Sequence, residues 1–524
     1  MNLFKDWVSN MGAKTILFCL LVPNMILFFL PVANEEMAAS YYGIETNDIQ
    51  YMVSLYYVGF ASFYSLERRF YSYFTSKQYF MIFQILQLIC CYILFASDQV
   101  FILYGVRFFQ GMLFASSVNL YMSLVFKTMK SFRAKEMTFS MFFGMLLCTG
   151  SFNNLITADV LDNFSFGFIY QCSIVMYGLA ILLVLITMRR NVFVKGIPLI
   201  RLDFGSFILL ATALMSAGYL SVYGQQYYWF QNKLIALVFG IFMIASVLFV
   251  IRQLNLKRPY ISMKIFRVKQ YWWGIVLLYL MYIERFSFAY SGSFYKSILK
   301  MDPRHVSYMF AFNIAGIVLG VACAAWWLIK KKPVIFLWIA GFMSLFVYHF
   351  MMRFLMYGSG NEYYYFFPMM MHGLGVGLIM VPTILHCVGV VPYYIAPSAA
   401  AFCLIVRFAG YTTSNLLTKY FTLYNYNVHY SKFLEDVTQE NSMYNQRLIQ
   451  VQGYLKDRGL ESSSMGSVSQ KMMRSMLDKE ILMRSIMDYY TMMMYMSIII
   501  LFAIFFYWLG HKNYKIIFRP LSPV

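Results

Sequence analysis

The sequence is poor in charge, and poorer still in acid. Only 12% of its 524 residues are charged, about half the share usual for a soluble domain, and 22 are acidic against 42 basic. An ordinary soluble surface cannot be built from that composition. Catalytic signatures are also missing. The eight cysteines show no CxxC spacing, so no disulfide or zinc framework is indicated. There is no HExxH zinc helix, no nucleophile elbow and no dense His/Asp group, the clustered metal or acid–base set that an intramembrane enzyme would need. No phosphate-binding Walker loop is present, so nucleotide hydrolysis is not an energy source within this chain. No cofactor is expected.

What the chain has is apolar length. Hydrophobic residues make up 61%, in recurring runs long enough to cross a bilayer core as helices. Fourteen spans are expected, at 15–34, 49–66, 78–97, 100–126, 137–158, 165–187, 204–223, 232–251, 271–294, 306–329, 333–353, 363–388, 395–417 and 488–510. The fold class is an all-α polytopic membrane protein. A chain with so many spans is usually a transporter.

The net charge of +20 does not call for nucleic acid, because the basic residues fall in alternate loops. They follow span 2 (Arg68, Arg69, Lys77), span 4 (Lys127, Lys130, Arg133, Lys135), span 6 (Arg189, Arg190, Lys195, Arg201), span 8 (Arg252 to Lys269) and span 10 (Lys330, Lys331, Lys332), and return at Lys512, Lys515 and Arg519. The positive-inside rule then puts both termini in the cytoplasm. The expected location is the cytoplasmic (inner) membrane of a bacterium. The loop after span 12 carries no basic residue. One long segment, 418–487, falls outside the membrane, with helical periodicity in its last part, Lys471 to Met487.

An internal repeat emerges when Gly111 in span 4 is laid on Gly373 in span 12. The neighbouring spans then match in order, and the basic loops after spans 2 and 10 coincide. Three units follow: a six-helix bundle at 1–190, two inserted central helices at 191–267, and a second six-helix bundle at 268–524 that includes the external segment.

Few charges lie at membrane depth, and such residues usually face a cavity or a partner. Glu284 and Arg285 are mid-span in helix 9. The functional reading is a proton-coupling or substrate-contacting carboxylate whose pKa Arg285 sets; the structural reading is an ion pair. Arg107 and Gln110 share a face of span 4. They line a pathway, or else tie helices together through backbone carbonyls. Arg407 in span 13 has the same two readings. Asn24, Asn119 and Asn153 join the candidate pathway as polar residues inside spans. His349, His372 and His386 are expected to be satisfied core histidines, and no metal site is expected. Gly316 with Gly320, and Gly373 with Gly377, have the GxxxG spacing that permits close helix packing.

Several of these segments, taken in order, resemble the major facilitator superfamily, and within it the fourteen-span branch of drug:proton antiporters. Arg107 to Gly111 is similar to that family's Arg-x-x-Gln-Gly pattern. Arg258 to Arg267 resembles its entry to span 9, Gly373 to Leu378 its span 12 glycine run, and Arg407 to Gly410 its Arg-x-x-Gly. The sequence departs at Ser65 to Ser72, where the family's loop glycines are missing, and at Thr149 to Asn154, where Gly-Pro and Gly-Gly pairs are expected. It also has Asn24 where a span 1 aspartate is common. The resemblance implies a secondary transporter of a small amphiphilic or hydrophobic organic molecule, working by alternating access with proton-coupled efflux. Its partners would be that molecule, protons and the bilayer. It also implies a central cavity faced by Arg107 and Glu284. Two alternatives stand beside it: a non-transporting receptor or assembly protein with this fold, and an intramembrane lipid- or isoprenoid-modifying enzyme. Burial of Arg107 and Glu284 away from any cavity would favour the former.

Overall fold

A computed structural model describes residues 4–33, 35–71, 73–128, 133–189, 202–357, 360–438, 440–459 and 461–512. Part of the basic-loop pattern (Lys130, Arg190, Lys195, Arg201, Lys515 and Arg519) lies outside them.

The first nine α-helices are α1 (Asn10–Ala33), α2 (Glu35–Tyr42), α3 (Thr46–Tyr71), α4 (Ser76–Ala96), α5 (Val100–Thr128), α6 (Ala134–Asn163), α7 (Gly167–Thr187), α8 (Phe204–Tyr223) and α9 (Lys233–Asn255). The rest are α10 (Lys269–Phe286), α11 (Phe288–Ser293), α12 (Pro303–Ile329), α13 (Ile335–Leu355), α14 (Tyr363–Gly389), α15 (Ala396–Asp436), α16 (Ser442–Asp457) and α17 (Ser462–Lys512). Every expected span falls on one or more of these helices. Twelve, among the described residues, are long and apolar enough to cross a membrane by length and composition.

The two expected spans outside that twelve are those on α3 and α10. Between Met52 and Phe63, every residue of α3 is buried by neighbouring helices. Such a helix needs no lipid-facing stripe, so its sequence can carry polar residues such as Ser54 and Ser62. The contrast is α9, with a mean hydropathy of 3.0 and only 17% of its span buried. Hydropathy here reports exposure to lipid, whereas α3 and α10 face protein.

Span 9 was expected to run unbroken from 271 to 294. Instead α10 stops at Phe286, and the chain continues through α11 into a π-helical turn at Phe294–Ile298. Four carbonyls around the break find side-chain donors. The Ser414 hydroxyl donates to the Ile283 carbonyl at 3.1 Å, and Ser287 to that of Glu284 at 2.6 Å. His372 Nε2 lies 3.0 Å from the Arg285 carbonyl, and Tyr490 donates to that of Ser287 at 3.5 Å. Buried backbone groups are rarely left unpaired, so these side chains offset the cost of the break.

The long polar segment 418–487 is also more ordered than its periodicity predicted. α15 has 41 residues and α17 has 51, so both outrun a span of about 20 residues. With α16 they make most of 418–487 helical. Tyr426 donates to Asp478 at 2.7 Å and His429 meets Asp488 at 2.7 Å, which ties the extensions of α15 and α17 together.

Two helix pairs approach closely enough to exclude side chains. A Cβ on Gly111 would lie 2.0 Å from the Tyr56 carbonyl oxygen and 3.0 Å from the Phe60 nitrogen. A Cβ on Gly373 would lie 2.1 Å from the Asn313 oxygen and 2.9 Å from the Ile317 nitrogen. The partner glycines reciprocate: Gly59 meets the Phe108 oxygen at 2.1 Å and Gly316 the Met370 oxygen at 2.1 Å. Each contact therefore uses atoms three residues before and one after the opposing glycine. The α3–α5 and α12–α14 pairs repeat one packing unit. Gly320 and Gly377 extend the second, and Gly410 brings α15 close against Tyr282 of α10.

α1, α3, α4, α5, α6 and α7 pack among themselves, as do α10, α12, α13, α14, α15 and α17. The groups meet where α6 packs on α12 and α14 and where α3 packs on α15. The α8–α9 hairpin lies against α3 and α15. At its base Asp203 caps α8 through the Ser206 amide (3.1 Å) and pairs with Arg252 (2.8 Å). Burial pushes the Asp203 carboxyl up, but the hydrogen bonds from Ser206 and Arg252 prevail and hold it below the usual carboxylate range.

Candidate functional site

The last turn of α10 puts two charged neighbours on different faces of one helix. Successive residues are about 100° apart around an α-helix, so Glu284 and Arg285 diverge. Glu284 points to α13 and α17 and has no exposed surface. Its Oε1 accepts from Ser497 at 2.9 Å, and its Oε2 lies 3.9 Å from His349 Nε2 without a hydrogen bond. Neither ring nitrogen of His349 has a hydrogen-bond partner among the described residues. Arg285 points the other way, to α6, donating to the Leu147 carbonyl and the Tyr282 hydroxyl at 3.3 Å each. The two side chains do not pair, so Arg285 does not tune Glu284 by contact.

Arg407 of α15 converges on the same phenol, its Nε donating to Tyr282 at 2.7 Å. Both guanidinium groups stack near the Tyr282 ring, at 5.4 Å for Arg285 and 5.3 Å for Arg407. Arg407 also covers Phe143 of α6.

A directional chain of hydrogen bonds crosses the seam between the helix groups. Ser151 of α6 donates to Asn313 Oδ1 of α12 at 2.8 Å, and Asn313 Nδ2 lies 3.0 Å from His372 Nδ1 of α14. With Nδ1 accepting, His372 carries its proton on Nε2, which then donates to the Arg285 carbonyl. His372 is thus satisfied, as is His386, which reaches the Gln270 carbonyl at 3.3 Å. His349 departs from that expectation.

Arg107 is tied to backbone. Nη1 donates to the Leu27 carbonyl and to Gln110 Oε1, both at 3.0 Å, and Nη2 to the Phe28 carbonyl at 3.1 Å. The sequence explains the Leu27 acceptor. Pro31 has no amide hydrogen, so the carbonyl four residues earlier, at Leu27, lacks its helical donor. Arg107 supplies one. It has no exposed surface, and the expected cavity-facing position is not what its contacts describe.

The remaining candidates scatter. Asn24 accepts from Tyr177 at 3.1 Å and donates to the Leu20 carbonyl. Asn153 of α6 donates to the Ile26 carbonyl at 2.8 Å. Asn119 donates to the buried carboxylate of Glu67, which also accepts from Tyr79 at 2.7 Å. Sequence reasoning passed over Glu67 because it sits in a loop motif read for its basic residues. It also passed over Tyr282 and Ser497, since neither residue type is unusual in a membrane helix. Two described cavities, of about 360 and 630 Å³, lie away from these groups, against Lys471 to Leu482 and against His305 to Tyr363.

No known family profile matches the sequence, and no curated protein sequence does. Solved structures do match. A POT-family peptide transporter in complex with sulfate superposes with a TM-score of 0.54 at 14% identity, covering 78% of this chain and 89% of that one. An auto-inhibited POT-family peptide transporter gives 0.53 at 11% identity, covering 97% of this chain and 100% of the other. The POT-family transporter PepTSo gives 0.53 at 12%, covering 98% and 100%. The chain shares its fold with these solved peptide transporters. The narrower drug:proton antiporter resemblance receives no support from these matches.

Proposed function

We propose that the chain is a secondary transporter that moves a small organic molecule across the membrane by alternating access. Its two six-helix halves, 1–190 and 268–524, would rock about the α6–α12 and α3–α15 contacts, with 191–267 as a peripheral hairpin. The observation that supports this reading most is the pair of buried charged residues in the last turn of α10: Arg285 faces the seam between the helix groups and Glu284 faces a buried histidine, and charge at membrane depth usually faces a cavity or a partner. The coverage of the POT structures along nearly the whole chain supports it through the fold alone. All fourteen helical segments would then span, with both termini cytoplasmic.

Proton coupling is the finer part of the reading. A carboxyl and an imidazole with free acceptor capacity can hold a proton between them, and Glu284 and His349 form such a pair. The test is proton flux in liposomes holding a pH-sensitive dye, screened with anionic, cationic and neutral amphiphiles. Substrate-dependent flux that Glu284→Gln abolishes supports coupling at this carboxyl. Flux that survives the change moves coupling elsewhere. Efflux rests on the family resemblance.

One observation favours the second reading, a non-transporting protein of this fold. Arg107 and Glu284 are both fully buried, and Arg107 is occupied by carbonyls. Against it stand Arg285 and Arg407, whose charges face the seam with no carboxylate partner among the described residues.

A further inference from the structure

Arg285, Arg407 and Tyr57 form a cluster whose hydrogen-bonding capacity is mostly unused. A guanidinium carries five N–H donors. Those of Arg407 find one acceptor among the described residues, the Tyr282 oxygen, and those of Arg285 find two. That phenol is itself saturated: it accepts from both arginines and turns its hydrogen toward Met380 Sδ at 3.9 Å. Tyr57 of α3 lies beside both arginines and the Tyr282 hydroxyl, and its own hydroxyl makes no geometrically sound hydrogen bond among the described residues. Arg285 is 7% exposed, Arg407 1% and Tyr57 1%. No described carboxylate forms a salt bridge with either arginine, and Glu284 points away.

Charge at membrane depth normally has a partner. Arg107 shows what a structural arginine looks like in this chain: three acceptors hold Nη1 and Nη2, and only Nε is left without one among the described residues. Arg285 and Arg407 instead place two cations around one neutral phenol. We propose that they form a binding site for the acidic group of an organic anion, with Tyr57 as a third donor. An oxyanion such as a carboxylate or sulfonate fits the planar fork of a guanidinium and supplies both the missing acceptors and the missing charge. The surroundings choose an organic body over a bare ion. Phe143, Phe286, Phe408 and Tyr411 put ring faces and edges around the cluster. The donors come from α3 on one side of the seam and from α10 and α15 on the other. One ligand would therefore contact both helix groups. That is the requirement for coupling binding to a change of shape, so the substrate class named here rests on the transporter reading, though binding itself does not.

The test uses the purified full-length chain in detergent and three matched probes: 4-phenylbutyrate, 4-phenylbutanol and 4-phenylbutylamine. Dissociation constants are measured by titration calorimetry. The site predicts that the carboxylate binds at least tenfold tighter than the alcohol or amine. Arg407→Gln and Arg285→Gln should each weaken it tenfold or more, and Arg407→Lys, which keeps the charge but loses the fork, should weaken it by an intermediate factor. Tyr57→Phe should weaken it severalfold while keeping the ring packing. Sodium sulfate is the control for a bare ion. Equal affinity for the three probes in wild-type protein overturns the proposal, whatever the variants do. So does a carboxylate preference that persists in the Arg285→Gln, Arg407→Gln double variant, or sulfate binding as tightly as the organic anion. Anion binding without flux in liposomes leaves the site standing and removes the transporter reading.

Discussion

The carboxylate of Glu284 and the imidazole of His349 lie 3.9 Å apart, both fully buried and with no hydrogen bond between them. Such a pair is costly where it serves only packing, because an unpaired buried polar group costs about 1–3 kcal/mol. Replacing both residues together by apolar ones of similar size should therefore cost little stability or raise it. His349→Leu with Glu284→Met is expected to keep or increase the thermal unfolding midpoint in detergent, while abolishing substrate-dependent proton flux. A large drop in that midpoint would mark the pair as structural.

Gly59, Gly111, Gly316 and Gly373 make a sharper stability prediction. An alanine at Gly111 or Gly373 would place Cβ about 2 Å from a backbone oxygen on the facing helix, and backbone cannot swing aside as a side chain does. Each single change should lower stability by about 3 kcal/mol or more, in the upper range of overpacking effects. Gly150 is the control, since a Cβ added there would meet nothing within 4 Å, and Gly150→Ala should be neutral or stabilising by up to about 1 kcal/mol. Unfolding of the four alanine variants beside Gly150→Ala checks the contrast.

Arg107 should behave as a tie. Arg107→Met leaves the Leu27 carbonyl without its side-chain donor, at a cost of about 1–3 kcal/mol for a buried group left unpaired. Restoring an amide donor at position 31 with Pro31→Ala should recover part of that loss. Non-additive unfolding midpoints in this double-mutant cycle are the expected result.

The fold was legible because lipid imposes it: long apolar runs placed the helices, and a glycine match located the repeated contact between α3 and α5 and between α12 and α14. The site was legible only in part. Rarity of charge at membrane depth pointed to Glu284, Arg285 and Arg407, but not to their partners, since Tyr282 and Ser497 look like any other residue in an aromatic-rich, serine-dotted helix. Arg107 carried the same signal for a different reason, and the clue to its role was Pro31, distant in sequence and on another helix. The break after α10 has no proline to announce it, and the side chains that meet its carbonyls come from α14, α15 and α17, far away in sequence. The order of segment 418–487 came from contacts such as Tyr426 with Asp478, which link residues far apart in sequence.

Ser151 and Asn313 hold the seam between α6 and α12 by a 2.8 Å hydrogen bond. If the halves part during transport, a covalent link there should stop it. In a background with the native cysteines replaced, Ser151→Cys with Asn313→Cys should lose flux on oxidation and regain it on reduction. Full flux after complete cross-linking would remove this seam from the moving interface.

Alternating access itself can be tested without knowing the substrate. A single cysteine at Ser151, only 2% exposed, sits between the helix groups. A membrane-impermeant thiol reagent would be added to one face of the proteoliposomes at a time, with the opposite face protected. If the halves open to each side in turn, the same cysteine is modified from either face. Modification from one face only, or from neither, across organic-anion and pH conditions would show that they do not.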